Sequence, residues 1–361
     1  MSNQKKVIDI QKRTFRVGSK KSLKTRAKAK GIIYGSFPEI YQIEFERDRN
    51  LQSSLIRECA MLTVGCYWNR TRPSLETFDF TDSDYFVRFA SKNKMLVRGH
   101  PLVWHEALPT WLSSTLNSGN AEQILARHIQ TTVSRYAGKM HSWDVVNEAI
   151  DVGKDRAAGE PGASGLRQSP WLEFLGMDYI DLAFRLAAKA DAKAKLVYNE
   201  YGVEYDRPED EAKRQAVLNL LQRLKSKGTP IYALGIQSHL LGDLDNYHLD
   251  KFREFINNVA SLGLKIMITE MDVSDDKLSQ DIKQRDRIIA GAYEDYLSIV
   301  LAQKAVVSVT TWGLSDRYTW LSWKRPRPDK SHVRPLPFDR DMKPKLAWNA
   351  IARAFDRAPK R

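Results

Sequence analysis

Two glutamates each sit where a short apolar run ends. Trp143-Asp144-Val145-Val146-Asn147 leads into Glu148, and Ile268-Thr269 leads into Glu270, followed by Met271-Asp272-Val273. Glycosidic cleavage needs one carboxyl group kept protonated to assist the leaving oxygen and a second kept ionised to attack or to activate water. A single Glu at a strand end is ordinarily a salt-bridged structural group. Here apolar residues deliver each carboxylate outwards, which solubility does not require. Similar runs close on His100 with Trp104 and His105, on Asn199-Glu200-Tyr201, on Gln237 and His239, on Asp272, and on Trp312. Amides and imidazoles hold sugar hydroxyls, and indoles cover the apolar faces of pyranose rings, so the set describes a carbohydrate site.

These side chains meet only if their strands share one end. The β-rich runs are Ile32–Tyr34, Met61–Val64, Met95–Trp104, Trp143–Asn147, Lys195–Tyr198, Ile231–Ile236, Lys265–Thr269 and Val306–Trp312. Helical patterns lie between several of them. In Ala216–Lys227, Val217, Leu218, Leu220, Leu221 and Leu224 line one face and Gly228 supplies the stop; Tyr179–Ala190 is another such pattern. Strand and helix alternating eight times predict an α/β chain folded as one (β/α)8 TIM barrel, whose chemistry gathers at the carboxyl ends of the strands. Gly153–Gly165, rich in Gly and Ala, reads as a loop after the fourth strand. A length of 361 residues suits one such barrel.

Composition removes other classes. No stretch approaches the roughly 18 consecutive apolar residues of a membrane span. Cys59 and Cys66 are too few for a disulfide framework and wrongly spaced for zinc, and there is no H-E-x-x-H pair, P-loop or GxGxxG turn. No metal or cofactor is expected. The net charge is +13, but residues 1–30 hold eleven Lys or Arg against one acid, Asp9, which leaves +3 for the rest. Residues 1–30 therefore read as a basic, flexible extension before a barrel over 31–361, and nucleic-acid binding is not expected because the extension lacks interleaved aromatics. It also lacks a continuous apolar segment after its positive residues, so the expected compartment is the cytoplasm if Met1 is the true start, with secretion as the alternative. The default oligomeric state is a monomer.

The motifs also resemble a known family. Val97–His105 is similar to the third-strand signature of family 10 xylanases, and Trp143–Glu148 to their acid/base strand. Gly235–Leu240 is similar to their sixth strand, Thr269–Val273 to their nucleophile strand, and Thr311–Asp316 with Trp320 to their eighth. Gly165–Trp171 and Pro335–Ile351 also resemble family segments. The resemblance implies an endo-1,4-β-xylanase-like retaining hydrolase with Glu148 as acid/base and Glu270 as nucleophile. It implies that Asn147 holds the 2-hydroxyl of the sugar being cleaved, and that His239, backed by Asp272, orients Glu270. His100, Trp104, Gln237 and Trp312 would line the same subsite. Glu200 stands where an Asp is more usual.

One segment departs from the family. Its second strand carries Glu-Asn-x-x-Lys-Trp, whose Glu, Asn and Lys grip sugars on the non-reducing side. This chain reads Thr63-Val64-Gly65-Cys66-Tyr67-Trp68, in a segment that looks two residues shorter. The expected substrate is xylan or a related β-linked polysaccharide. A bacterial exopolysaccharide or a small β-glycoside is the alternative within the same mechanism, and a non-catalytic carbohydrate-binding protein is the alternative outside it.

Overall fold

A computed structural model describes residue 10 and residues 12–153, 165–243 and 249–361. Among these residues nine strands occur: β1 (Ile33–Ser36), β2 (Met61–Gly65), β3 (Leu96–His100), β4 (Ser142–Asn147), β5 (Lys195–Glu200), β6 (Ala233–Ile236), β7 (His239–Leu241), β8 (Lys265–Ser274) and β9 (Val306–Thr311). Every pairing is parallel. The order β6-β5-β4-β3-β2-β1-β9-β8 closes through β6 against β8, giving the expected eight-stranded barrel. The strands are buried on both faces, which is why they read as continuous apolar runs rather than alternating ones. Met61, Val197, Ala233 and Met267 form a small apolar cluster of their own, one from each of four strands.

All eight expected runs coincide with barrel strands, and two details differ. β8 does not stop at Thr269 but continues to Ser274, so Glu270 and Asp272 lie inside a strand. The continuation exists because β7 pairs with it, His239 opposite Asp272 and Leu241 opposite Ser274. Helices of ten residues or more follow all eight barrel strands, from Arg49–Glu58 after β1 and Thr81–Lys92 after β2 to Leu346–Arg357, which closes the chain after β9. Tyr179–Ala190 is found as expected. The helix expected at Ala216–Lys227 spans Pro208–Ser226. Its first half is charged and shows no apolar period, yet Pro208 at the first turn and Glu209, Asp210 and Glu211 beside the positive end of the helix dipole favour an early start.

The segment read as an extension packs against the barrel from Ile10 onwards. Ile10, Phe15, Leu23 and Ala27 are buried in the main core, and Leu23–Lys28 is a helix whose first backbone N–H donates to Glu58. Its basic residues have partners: Arg13 with Glu294 and Asp295, Arg26 with Asp356, and Lys30 with the Ala358 carbonyl. Packing therefore begins well before the boundary expected at residue 30, because the charges hide an apolar face. Most of the loop expected at Gly153–Gly165 lies outside the described residues. Cys59 and Cys66 are free and buried. Among the described residues no helix is long and apolar enough to cross a membrane.

Candidate active site

The carboxyl ends of the strands open into one cleft of about 790 Å³. Its lining includes all ten residues expected there: His100, Trp104, Asn147, Glu148, Gln237, His239, Glu270, Asp272, Trp312 and Trp320. His105 instead faces a small neighbouring pocket with Arg167 and Tyr179.

Glu148 is the first residue beyond β4. Its backbone N–H donates to the Asn199 carbonyl, and its φ of +58° turns the side chain out of the strand line. That left-handed conformation costs a non-glycine residue energy and is characteristic of functional positions. The carboxylate accepts hydrogen bonds from Gln237 Nε2 at 2.8 Å and Asn147 Nδ2 at 3.1 Å. Burial raises its pKa, the Gln237 hydrogen bond opposes this, and the charges of Glu200 and Glu270 add to the rise.

Glu270 shares the cleft in a different field. Burial alone would raise its pKa, but His100, His239 and Arg98 outweigh that and hold it at about 2. It accepts from Asn199 Nδ2 at 2.7 Å, with His239 Nε2 at 3.5 Å and His100 Nδ1 at 3.8 Å. Asn199 Nδ2 also donates to Asn147 Oδ1 at 2.8 Å, so two amides bridge the two carboxyl groups. His239 has Asp272 Oδ1 at 3.0 Å on its other nitrogen. Burial disfavours its charge, yet Asp272 and Glu270 raise its pKa well above the ordinary value, so it stands as an imidazolium between two carboxylates. Trp320 donates its indole N–H to Asp272 Oδ2 at 2.8 Å, and Trp312 stands edge-on to His100.

Beneath the cleft floor Arg98 and Asp144 form an ion pair in which both side chains are 0% exposed. Arg98 also donates to the Thr269 carbonyl, and Asp144 accepts from His100 Nδ1 at 2.7 Å. His100, Asp144 and Glu270 bring potential ligand atoms within 4.8 Å of one another. Asp144 is already engaged by Arg98 and His100, so the cluster is a hydrogen-bonded support more than an open metal site.

The sequence profile of glycosyl hydrolase family 10 matches residues 22–354. The chain belongs to that family. A β-1,4-xylanase of Dictyoglomus thermophilum is 35% identical over 298 residues, covering 79% of this chain and 78% of that protein. Endo-1,4-β-xylanase A of Caldicellulosiruptor sp. (strain Rt8B.4) is 37% identical over 300 residues, but the chain spans only 39% of its length. Among solved structures, xylanase 10B of Thermotoga petrophila RKU-1 in complex with xylobiose superposes with a TM-score of 0.82 at 31% identity, covering 94% of this chain and 99% of that one.

Within this family 10 cleft, Glu200 is a support and does not line the cavity. It is 1% exposed, pairs with Lys213 at 2.9 Å, and accepts from Tyr198 and from the Ile150 backbone. Sequence reasoning missed Arg98, Asp144 and Glu39. A charged residue inside an otherwise apolar strand is the signal for the first two. Glu39 lies three residues past β1, within reach of the same strand-end rule.

Proposed function

We propose that the chain is a retaining glycoside hydrolase that cleaves β-1,4-xylosidic bonds in xylan or a related β-linked polysaccharide, with Glu270 as nucleophile and Glu148 as acid/base. The observation that carries this reading is one cleft holding two carboxyl groups, Glu270 buried and Glu148 half-buried, that are driven apart in proton affinity, Glu148 upwards and Glu270 down to about 2. That is the division of labour double displacement requires. Glu148 gives its proton to the glycosidic oxygen while Glu270 attacks the anomeric carbon, so the aglycone leaves and a glycosyl ester forms. Glu148, now ionised, then takes a proton from water, which attacks the same carbon and frees Glu270. Asn147, whose amide reaches towards both carboxyl groups, is placed to hold a sugar hydroxyl between them. The xylanase names of the relatives and the xylobiose complex of a structural neighbour support a xylan substrate.

The test is sugar release from a panel of β-1,4 polysaccharides, with the first-formed anomer read by NMR. The β-anomer is expected first; an α-anomer would mean inversion and would sink the nucleophile assignment. Glu148→Ala should retain glycosylation on activated aryl glycosides and yield a β-glycosyl azide when azide is added, whereas Glu270→Ala should be inactive on poor and activated leaving groups alike. Identical behaviour of the two variants contradicts the roles. A second reading, the same mechanism on a bacterial exopolysaccharide or small β-glycoside, is favoured by the altered segment Thr63–Trp68. On that reading plain xylan is hydrolysed slowly and another member of the panel quickly.

A further inference from the structure

Most of the residues Thr63–Trp68, which stand in place of the family's sugar-gripping segment, offer little to a sugar. The Thr63 hydroxyl faces Arg98 Nη1 at 3.3 Å, Cys66 is buried, and Trp68 is buried with its ring stacked on His128 and its indole N–H donated to the Leu102 carbonyl. Tyr67 is the exception: it lines the cleft together with Thr63, Val64 and Gly65, and of these it carries the largest side chain. Its ring leans over Gly65, where a Cβ would come within 2.9 Å, and stands edge-on to His100. Among the described residues its hydroxyl has no hydrogen-bond partner.

The neighbouring loop, after β1, contributes a carboxyl group. Glu39 follows Pro38 with φ +45°, a left-handed conformation that a non-glycine residue keeps only when its surroundings impose it. One oxygen is anchored: Oε2 accepts from the Trp320 backbone N–H at 3.0 Å. Oε1 has no such partner among the described residues, and the side chain lines the cleft. Burial, opposed by the Trp320 hydrogen bond and reinforced by Asp272 and Glu270, raises its pKa well above the ordinary value.

The position of these two groups sets what they face. A general acid must touch the glycosidic oxygen, so the departing part of the substrate lies beside Glu148, on β4. Glu39 and Tyr67 stand on the β1–β2 side of the barrel, and Glu39 feels the charges of Asp272, His239 and Glu270. They therefore flank the sugars that stay with the nucleophile. We propose that Glu39 and Tyr67 form the wall that binds the second sugar on the non-reducing side, a grip built from the loops after β1 and β2. The ligand is a neutral β-linked disaccharide unit, with a hydroxyl to Glu39 Oε1 and a ring face or hydroxyl against Tyr67. This rests on the glycosidase reading above.

The test compares kcat/KM on aryl β-xylobioside and aryl β-xyloside for the wild type, Glu39→Ala, Glu39→Gln and Tyr67→Phe. Loss of a sugar hydrogen bond should lower the xylobioside value by about tenfold in Glu39→Ala and roughly threefold in Tyr67→Phe, with the xyloside value nearly unchanged. Glu39→Gln keeps an oxygen for Trp320 and a donor for the sugar, so it should stay near the wild type. Equal losses on both substrates in Glu39→Ala would overturn the proposal, since they would mean that Glu39 only anchors the Trp320 loop. Unchanged xylobioside values in both Glu39→Ala and Tyr67→Phe would overturn it as well. A wild type inactive on both substrates would instead overturn the glycosidase reading, and the inference with it.

Discussion

At the scale of single residues, the cleft works by giving each titratable group a different set of neighbours. Desolvation pushes both Glu148 and Glu270 upwards; the cations beside Glu270 pull it down, while the carboxylates near Glu148 push it further up. His239 is the replaceable part of that separation. It places one nitrogen at 3.5 Å from Glu270 and the other at 3.0 Å from Asp272, between two carboxylates that favour its charged form. In the proposed mechanism Glu270 must be ionised to attack, and its depressed pKa should keep the acidic limb of the kcat/KM profile far below the usual Glu value of about 4.3. The basic limb follows loss of the Glu148 proton and should lie above that value. His239→Asn removes the charge and should move the acidic limb to higher pH while shifting the basic limb less. Profiles on an aryl β-glycoside decide this, and an unmoved acidic limb would remove His239 from the role.

At the scale of elements, precision comes from strands that leave no slack. Gly99 in β3 lies directly against Trp143 in β4: a Cβ there would sit 2.1 Å from the indole, which is itself fully buried. The neighbouring β3 residues Arg98 and His100 hold Asp144, so any shift of this pair is transmitted to the floor of the cleft. Gly99→Ala should therefore cost on the order of 1–3 kcal/mol by overpacking. A lower urea midpoint in an otherwise folded protein is the expected result, and an unchanged midpoint would show that the Trp143 ring has room to move. β8 shows a related device. Its register with β9 breaks between Ile268 and Met271, and this irregularity spans Glu270.

At the scale of the molecule, the basic amino-terminal segment belongs to the barrel's stability more than to its surface charge. Ile10 packs onto Gly291 of the helix Ile282–Val300, and Phe15 joins the same core. Arg13 contributes charge beside Glu294 and Asp295. Burying two such side chains contributes roughly 1.5–3 kcal/mol each as an upper figure. A chain begun at Ser22 should thus melt several degrees lower than the full chain. Equal melting temperatures by calorimetry would restore the reading of a free extension.

The sequence by itself determined the architecture and most of the site. Apolar runs long enough to be buried on both faces, separated by helical periods, admit few arrangements other than a closed parallel barrel, and polar residues at their ends must then share its mouth. That logic reached Glu148, Glu270 and seven residues around them without any distance, and the family resemblance added Trp320. It did not reach the Arg98–Asp144 pair, because burial of a charge depends on finding its partner 46 positions away. Nor did it separate Glu200, tied to Lys213, from the two cleft glutamates, since in the sequence all three follow an apolar run in the same way. The amino-terminal segment misled because charge dominates its composition while its few apolar residues have partners near the other end of the chain. Tertiary structure alone decided these points: each is a question of which groups meet across the barrel, and spacing along one strand carries no record of what stands on the next.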